Sequence, residues 1–150
     1  MSKLIKNAFY LFFPLIMGSF VGFAIKNFMD YKELIQPPLA PPSWLFPVAW
    51  TIIYLLMGIS YYIYRKDFDD DKDKIVYYGQ LFVNLLWSII FFVWKLRLFA
   101  CFWIVLLDIL VLLMIIRFMN KKKIVSILNY PYLLWILFAT YLTIGIYLLN

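Results

Sequence analysis

The chain has 150 residues, of which 66% are hydrophobic and only 15% charged; a soluble domain carries about a quarter charged residues, so a soluble shell is excluded, and the length leaves no room for a second globular domain. The net charge of +6 is carried by short basic clusters between apolar runs rather than by a continuous basic face, which excludes nucleic-acid binding and points to membrane orientation. Histidine is absent, which removes the commonest general base and the usual ligand of zinc and haem iron.

Five apolar runs predict an all-α fold: an integral membrane bundle of five transmembrane helices, with residues 1–150 forming one domain. Each run holds about 20 residues, enough at 1.5 Å rise to cross a hydrocarbon core of about 30 Å. The first is Asn7 to Ile25. Lys3 and Lys6 precede it as in a signal peptide, but no small-x-small cleavage site follows before Lys26, so it is expected to be a retained helix. Gly18 and Gly22 make one GxxxG step, which can serve packing within the chain, a dimer contact or a pocket wall. The connection from Lys26 to Ser43 holds Pro37, Pro38, Pro41 and Pro42, which stiffen it into extended or turn conformations, with a helical turn or two over Asp30 to Ile35. A rigid proline-rich loop in a chain with little else outside the membrane is a candidate lid; the alternative is a plain spacer.

The second run, Trp44 to Tyr64, carries Trp50, Tyr54, Met57 and Tyr61 on one stripe, with Trp44 and Phe46 as interfacial anchors. The loop after it mixes Arg65, Lys66, Lys72 and Lys74 with Asp67, Asp69, Asp70, Asp71 and Asp73. The acids lack an EF-hand pattern, so a solvated turn is expected rather than a calcium site. In the third run, Ile75 to Trp94, residues Gln80, Asn84, Trp87 and Phe91 fall at i, i+4, i+7 and i+11 and share a face. Two amides and two large rings can line a ligand cavity or glue helices together. The fourth run, Leu98 to Phe118, places Asp108 near mid-membrane, where it should be neutral or hydrogen-bonded to a Tyr, Trp or amide of a neighbour. The single cysteine, Cys101, permits no intrachain disulfide and fits no zinc spacing. The fifth run, Pro131 to Leu149, presents Trp135, Ala139, Leu142 and Ile146 on one face, and the small Ala139 and Thr143 leave room for close packing or a ligand. Ten basic residues flank the ends on one side and four on the other, which predicts the N-terminus inside and the C-terminus outside.

Three segments carry a resemblance. Pro41-Pro42-Ser43-Trp44-Leu45-Phe46-Pro47-Val48-Ala49-Trp50 resembles the PPxWxFxxVW signature of the TspO family, the tryptophan-rich sensory proteins of bacteria and the mitochondrial translocator protein. Gln80-Leu81, Asn84, Trp87 and Phe91-Phe92 are similar to its third-helix pattern, and Pro131-Tyr132-Leu133, Trp135 and Phe138-Ala139-Thr140 to its fifth. The resemblance implies a five-helix bundle, often a homodimer, in a bacterial cell membrane, with a cavity closed by the first loop. It implies binding of porphyrins such as protoporphyrin IX, of haem, and of benzodiazepine-site ligands, with the porphyrin as ligand and no required cofactor. By motif, Trp50, Tyr54, Gln80, Asn84, Trp87, Trp135 and Ala139 become pocket candidates, with Thr143 where the family has an asparagine and Tyr31 and Pro42 from the lid. It also links Trp50 and Trp135 to porphyrin breakdown in light, which makes them a candidate catalytic pair.

The chain departs from the family lid at Asp30, where the pattern has Trp, and at Gln36, where it has Lys; a lid cation for a propionate is missing, although Lys32 lies nearby. The end of the fifth run offers Tyr147 but no basic residue, which argues against the animal sterol motif. Aromatic residues can stack on a tetrapyrrole face and basic residues can meet its acids, and without histidine the metal-free pigment is the better fit. Counting rise per residue sets Trp50 and Trp135 about 10–15 Å apart along the membrane normal, which argues against their sandwiching one flat ring. A tetrapyrrole sensor, buffer or carrier is therefore expected first. A light- and oxygen-dependent degrading activity, a transporter, and a ligand-free structural partner remain as alternatives.

Overall fold

The computed structural model describes residues 2–150 and is entirely helical outside its loops. Helix α1 (Lys3–Ile25) starts at Ser2, whose hydroxyl accepts from the Ile5 amide, and runs on through a 3₁₀ turn at Lys26–Phe28. A second 3₁₀ turn follows at Tyr31–Glu33, within the lid. Helix α2 (Leu45–Asp67) carries Pro47 in its first turn, where a missing amide hydrogen leaves no intrahelical bond broken. Helix α3 (Asp71–Ser88) is capped by Asp70, which accepts from the Lys72 and Asp73 amides. It ends in a π-helical turn at Ile89–Val93. Helices α4 (Arg97–Met119), α5 (Lys123–Ile127) and α6 (Tyr130–Leu149) complete the chain. Five stretches are long and apolar enough to span a membrane: Lys3–Phe28, Leu45–Asp67, Asp71–Val93, Arg97–Met119 and Lys123–Leu149.

Close backbone approach fixes α1 against α2. A Cβ at Gly58 would lie 1.9 Å from the Leu11 carbonyl oxygen, so only glycine fits there. The fourth span packs on α3 and on α6. The centre is polar as well as aromatic. Tyr54 donates to Asn84 Oδ1 at 2.6 Å, the Asn84 amide donates to the Tyr132 hydroxyl at 2.8 Å, and that hydroxyl donates to Gln80 Oε1 at 2.7 Å. All four groups are buried, so the chain of bonds joins α2, α3 and α6 where lipid could satisfy none of them.

At the end of the bundle opposite the lid, two of the aspartates turn out to be built into the structure. Asp73 is 1% exposed and receives Arg117 Nε at 2.5 Å and the Tyr64 hydroxyl at 2.7 Å. Asp70 caps α3 and meets Lys121 at 3.3 Å; Asp67 meets Lys122 at 2.8 Å; Asp69 pairs with Arg65 and Lys74. Asp67, Asp69 and Asp71 remain exposed, as expected of a solvated turn, while Asp70 and the buried Asp73 go beyond that expectation and tie α3 to the end of α4 by ion pairs. The lysines and arginines of this end lie close in space although two helices separate them in sequence.

Two expectations need correction. Asp108 finds a threonine rather than a Tyr, Trp or amide: the Thr140 hydroxyl lies 2.7 Å from its Oδ2. Trp50 and Trp135 are not separated along the normal but touch, with ring centroids 6.4 Å apart. The fifth candidate span begins at Lys123 rather than Pro131, with the short α5 and a turn ahead of α6, so counting helical rise from Pro131 as the span's start misplaces Trp135.

Candidate functional site

Beneath the lid, a cavity of about 420 Å³ opens between α2, α3, α6 and the lid-side part of α1. Its floor is the buried hydrogen-bond chain, reached through Tyr54 and Asn84. From α2 come Phe46, Trp50 and Tyr54; from α3 come Asn84, Trp87, Phe91 and Phe92; from α6 come Trp135, Ala139, Leu142, Thr143 and Ile146. Gly18 and Gly22 supply the wall on α1. A Cβ at Gly18 would lie 2.3 Å from the Tyr54 ring, whereas one at Gly22 would meet nothing. Ser19, Gly22, Phe23 and Lys26 of the first span and Pro47 and Thr51 of α2 border the cavity and are exposed, so it is open on that side.

The walls are aromatic and held in place. Trp50 stacks on Tyr54 at 5.4 Å and stands at 87° to Trp135, which meets Phe46 edge-on at 5.8 Å. Trp87 stacks on Phe91 at 5.2 Å. The π turn widens the helix so that the adjacent Phe91 and Phe92 both reach the cavity, and Arg97 Nε donates to the Phe91 carbonyl at 3.3 Å. The indole N–H groups of Trp87 and Trp135 are buried without an acceptor among the described residues. The perpendicular indoles also rule out a flat ring stacked between Trp50 and Trp135, for a reason of orientation rather than depth.

The lid closes over this space at several points. Tyr31 is buried, packs edge-on against Phe46 at 4.9 Å and donates to the Pro41 carbonyl at 2.8 Å. Burial raises its hydroxyl above the usual phenol range, so it stays a donor. Asp30 receives Arg97 Nη2 at 2.7 and 3.0 Å, with Lys95 at 3.6 Å. The Asn150 amide bonds both the N–H and the C=O of Ile35, and Tyr141 donates to the Pro38 carbonyl. Gly145 lies under Pro37, where a Cβ would come within 2.7 Å of the proline ring.

The structure therefore brings Tyr31, Trp50, Tyr54, Asn84, Trp87, Trp135, Ala139 and Thr143 to one cavity. It does not bring Gln80 or Pro42 there. Gln80 is fully buried behind the floor, between Tyr132 and the Met57 sulfur, because the third-helix stripe runs past the end of the open space. Pro42 holds the turn into α2 by accepting from the Leu45 amide. The stripe thus divides: its first residue glues helices, and the others border the cavity. Phe46, read as an interfacial anchor, lines the cavity, Gly22 takes the pocket-wall role among the three left open for it, and Lys26 borders the cavity without having been singled out by any motif. Gly18, Gly22 and Lys26 recur every four residues, a spacing that places them on one face of the first span.

The model of the TspO/MBR family matches residues 10–149. The chain belongs to that family. Among TspO/MBR relatives, it is 43% identical to a protein named "Tryptophan-rich protein TspO" of Archaeoglobus fulgidus, over 80% of this chain and 79% of the relative. It is 36% identical to the protein of the same name from Chlorobaculum tepidum, over 87% and 89%. The human translocator protein is 28% identical over 83% and 78%. Family membership and five spanning helices make this an integral, multi-pass membrane protein set in lipid.

Proposed function

We propose that the chain binds tetrapyrroles, with protoporphyrin IX as the test ligand, and acts as a membrane sensor, buffer or carrier of them. The observation that carries this reading is the aromatic-walled cavity of about 420 Å³, with two indole donors lacking acceptors. Its volume falls within the range of small-molecule sites, roughly 300–1,000 Å³. Apolar walls suit a broad conjugated face, and Trp87 offers one stackable ring already aligned with Phe91. A small rotation of either indole would let its N–H meet an acceptor atom of the ligand, removing the cost of a buried unpaired donor. The open side lets a disc wider than the cavity protrude between α1 and α2. Haem would have no histidine to ligate its iron, which favours the metal-free pigment; benzodiazepine-site ligands fit the same apolar walls.

Quenching of tryptophan fluorescence by protoporphyrin IX in detergent tests this. Saturable quenching that weakens in a Trp87→Ala, Trp135→Ala double variant supports it; equal quenching of variant and native protein sinks it. A second reading, light- and dioxygen-dependent degradation of the bound pigment, is favoured by the Trp50–Trp135 contact. A Trp135→Phe variant that binds the pigment yet forms product at an unchanged rate removes that reading.

A further inference from the structure

We infer that Lys26 is the specificity residue of this cavity, selecting ligands that carry a carboxylate at the edge of an apolar body; the inference rests on the tetrapyrrole reading above. None of the lining residues is acidic, and Lys26 is the one basic side chain among them. It sits at the rim, exposed, on the same face of the first span as Gly18 and Gly22. Its ammonium lies 4.2 Å from the Phe23 ring centroid, and among the described residues no carboxylate pairs with it. The nearest candidate along the chain, Asp30, is held by Arg97 and Lys95. A cation resting only on an exposed ring is ready to exchange that contact for an anion. Lys32, the nearest lysine in the lid sequence, does not border the cavity but a shallower recess beside it. Lys26 therefore supplies the cavity's cationic contact from the wall.

The competing role for such a lysine is to snorkel to lipid headgroups, which would leave ligand choice untouched. Protoporphyrin IX and its dimethyl ester separate the two roles, because they share the ring and differ in charge. Affinities of both pigments are measured by fluorescence quenching in a neutral detergent, which presents no anionic headgroup, for the native protein, Lys26→Gln and Lys32→Gln. The native protein is expected to prefer the diacid to the ester, and Lys26→Gln to lose about three- to fivefold of diacid affinity, the worth of a partly screened ion pair, with ester affinity unchanged. The native preference should shrink in 1 M salt, and Lys32→Gln should match the native protein. Comparing the ratio of ratios removes the ester's greater hydrophobicity. If both pigments bind but the diacid preference survives Lys26→Gln, or both affinities fall equally, the inference is overturned alone. If neither pigment quenches the native protein, the tetrapyrrole reading falls and the inference with it.

Discussion

Gly18 and Gly22 lie one helical turn apart on α1, yet substitution at each meets different surroundings. The Tyr54 ring, pinned through its hydroxyl to Asn84, stands 2.3 Å from where a Cβ of residue 18 would be. Gly18→Ala overpacks that contact and is expected to cost about 1–3 kcal/mol, seen as a lower thermal midpoint in detergent. A side chain at residue 22 enters open space. Gly22→Leu should leave the midpoint unchanged and weaken protoporphyrin binding at least about tenfold, the effect of roughly 1.4 kcal/mol of steric conflict with the ligand. Equal affinity in Gly22→Leu would show that the ligand lies elsewhere. Tyr132 behaves oppositely: it is buried, lies beneath the cavity and bonds both Asn84 and Gln80. Tyr132→Phe should lose about 1–2 kcal/mol, the worth of two interhelical hydrogen bonds in a membrane protein, while pigment affinity changes little. Sequence spacing put Asn84, Trp87 and Phe91 on one face correctly. It could not say where along that face the open space stops, because that depends on how α1, α2 and α6 pack around it.

At the scale of elements, the two ends of the bundle are fastened by charge. On the lid side, Asp30 stands where the family pattern has Trp, and Arg97 holds it with both carboxylate oxygens in reach. Asp30→Ala should raise amide hydrogen exchange across residues 30–40 by about fivefold, the scale of a lost pair near 1 kcal/mol, and Arg97→Ala should do the same. If each variant leaves exchange at the native rate, the pair does not restrain the lid. At the opposite end, two backbone amides and Lys121 hold the Asp70 carboxyl below its ordinary range. A depressed folded-state value means that its contribution is present above the unfolded value near 4 and is lost only as pH falls through the lower folded value. Asp70→Asn keeps the cap, since Asn caps helices well, but removes the charge. The variant should therefore lose less thermal stability than the native protein as pH is lowered from about 5 to 2; parallel acid losses would exclude a role for Asp70. None of these pairs was visible in the sequence, where Asp70 and Lys121 are two helices apart; only the helix cap has a local signature.

The whole molecule was legible in outline because membrane thickness and helix rise fix the length of a span, and five runs met it. What length cannot fix is depth. Trp135 meets Trp50 although the count from Pro131 keeps them apart, because the fifth span takes in α5 from Lys123, and apolar α5 gave no warning, since a short amphipathic turn and a membrane-entering helix look alike in composition. Topology depends on a different signal, the placement of lysine and arginine. The end bearing the N-terminus and the α2–α3 and α4–α5 connections holds ten basic residues, and the lid end holds four. Basic flanks are retained on the cytoplasmic side, so the lid should face away from the cytoplasm. The neighbouring aspartates do not offset this, because acidic residues count little in the rule. Single cysteines placed at the exposed Lys32 of the lid and Lys72 of the opposite end test it, with native Cys101 buried and quiet. In intact bacteria expressing each variant, a membrane-impermeant maleimide should label Lys32→Cys and spare Lys72→Cys until the cells are opened. The reverse pattern would place the lid in the cytoplasm, so that the cavity mouth and Lys26 met ligands arriving from the other face of the membrane.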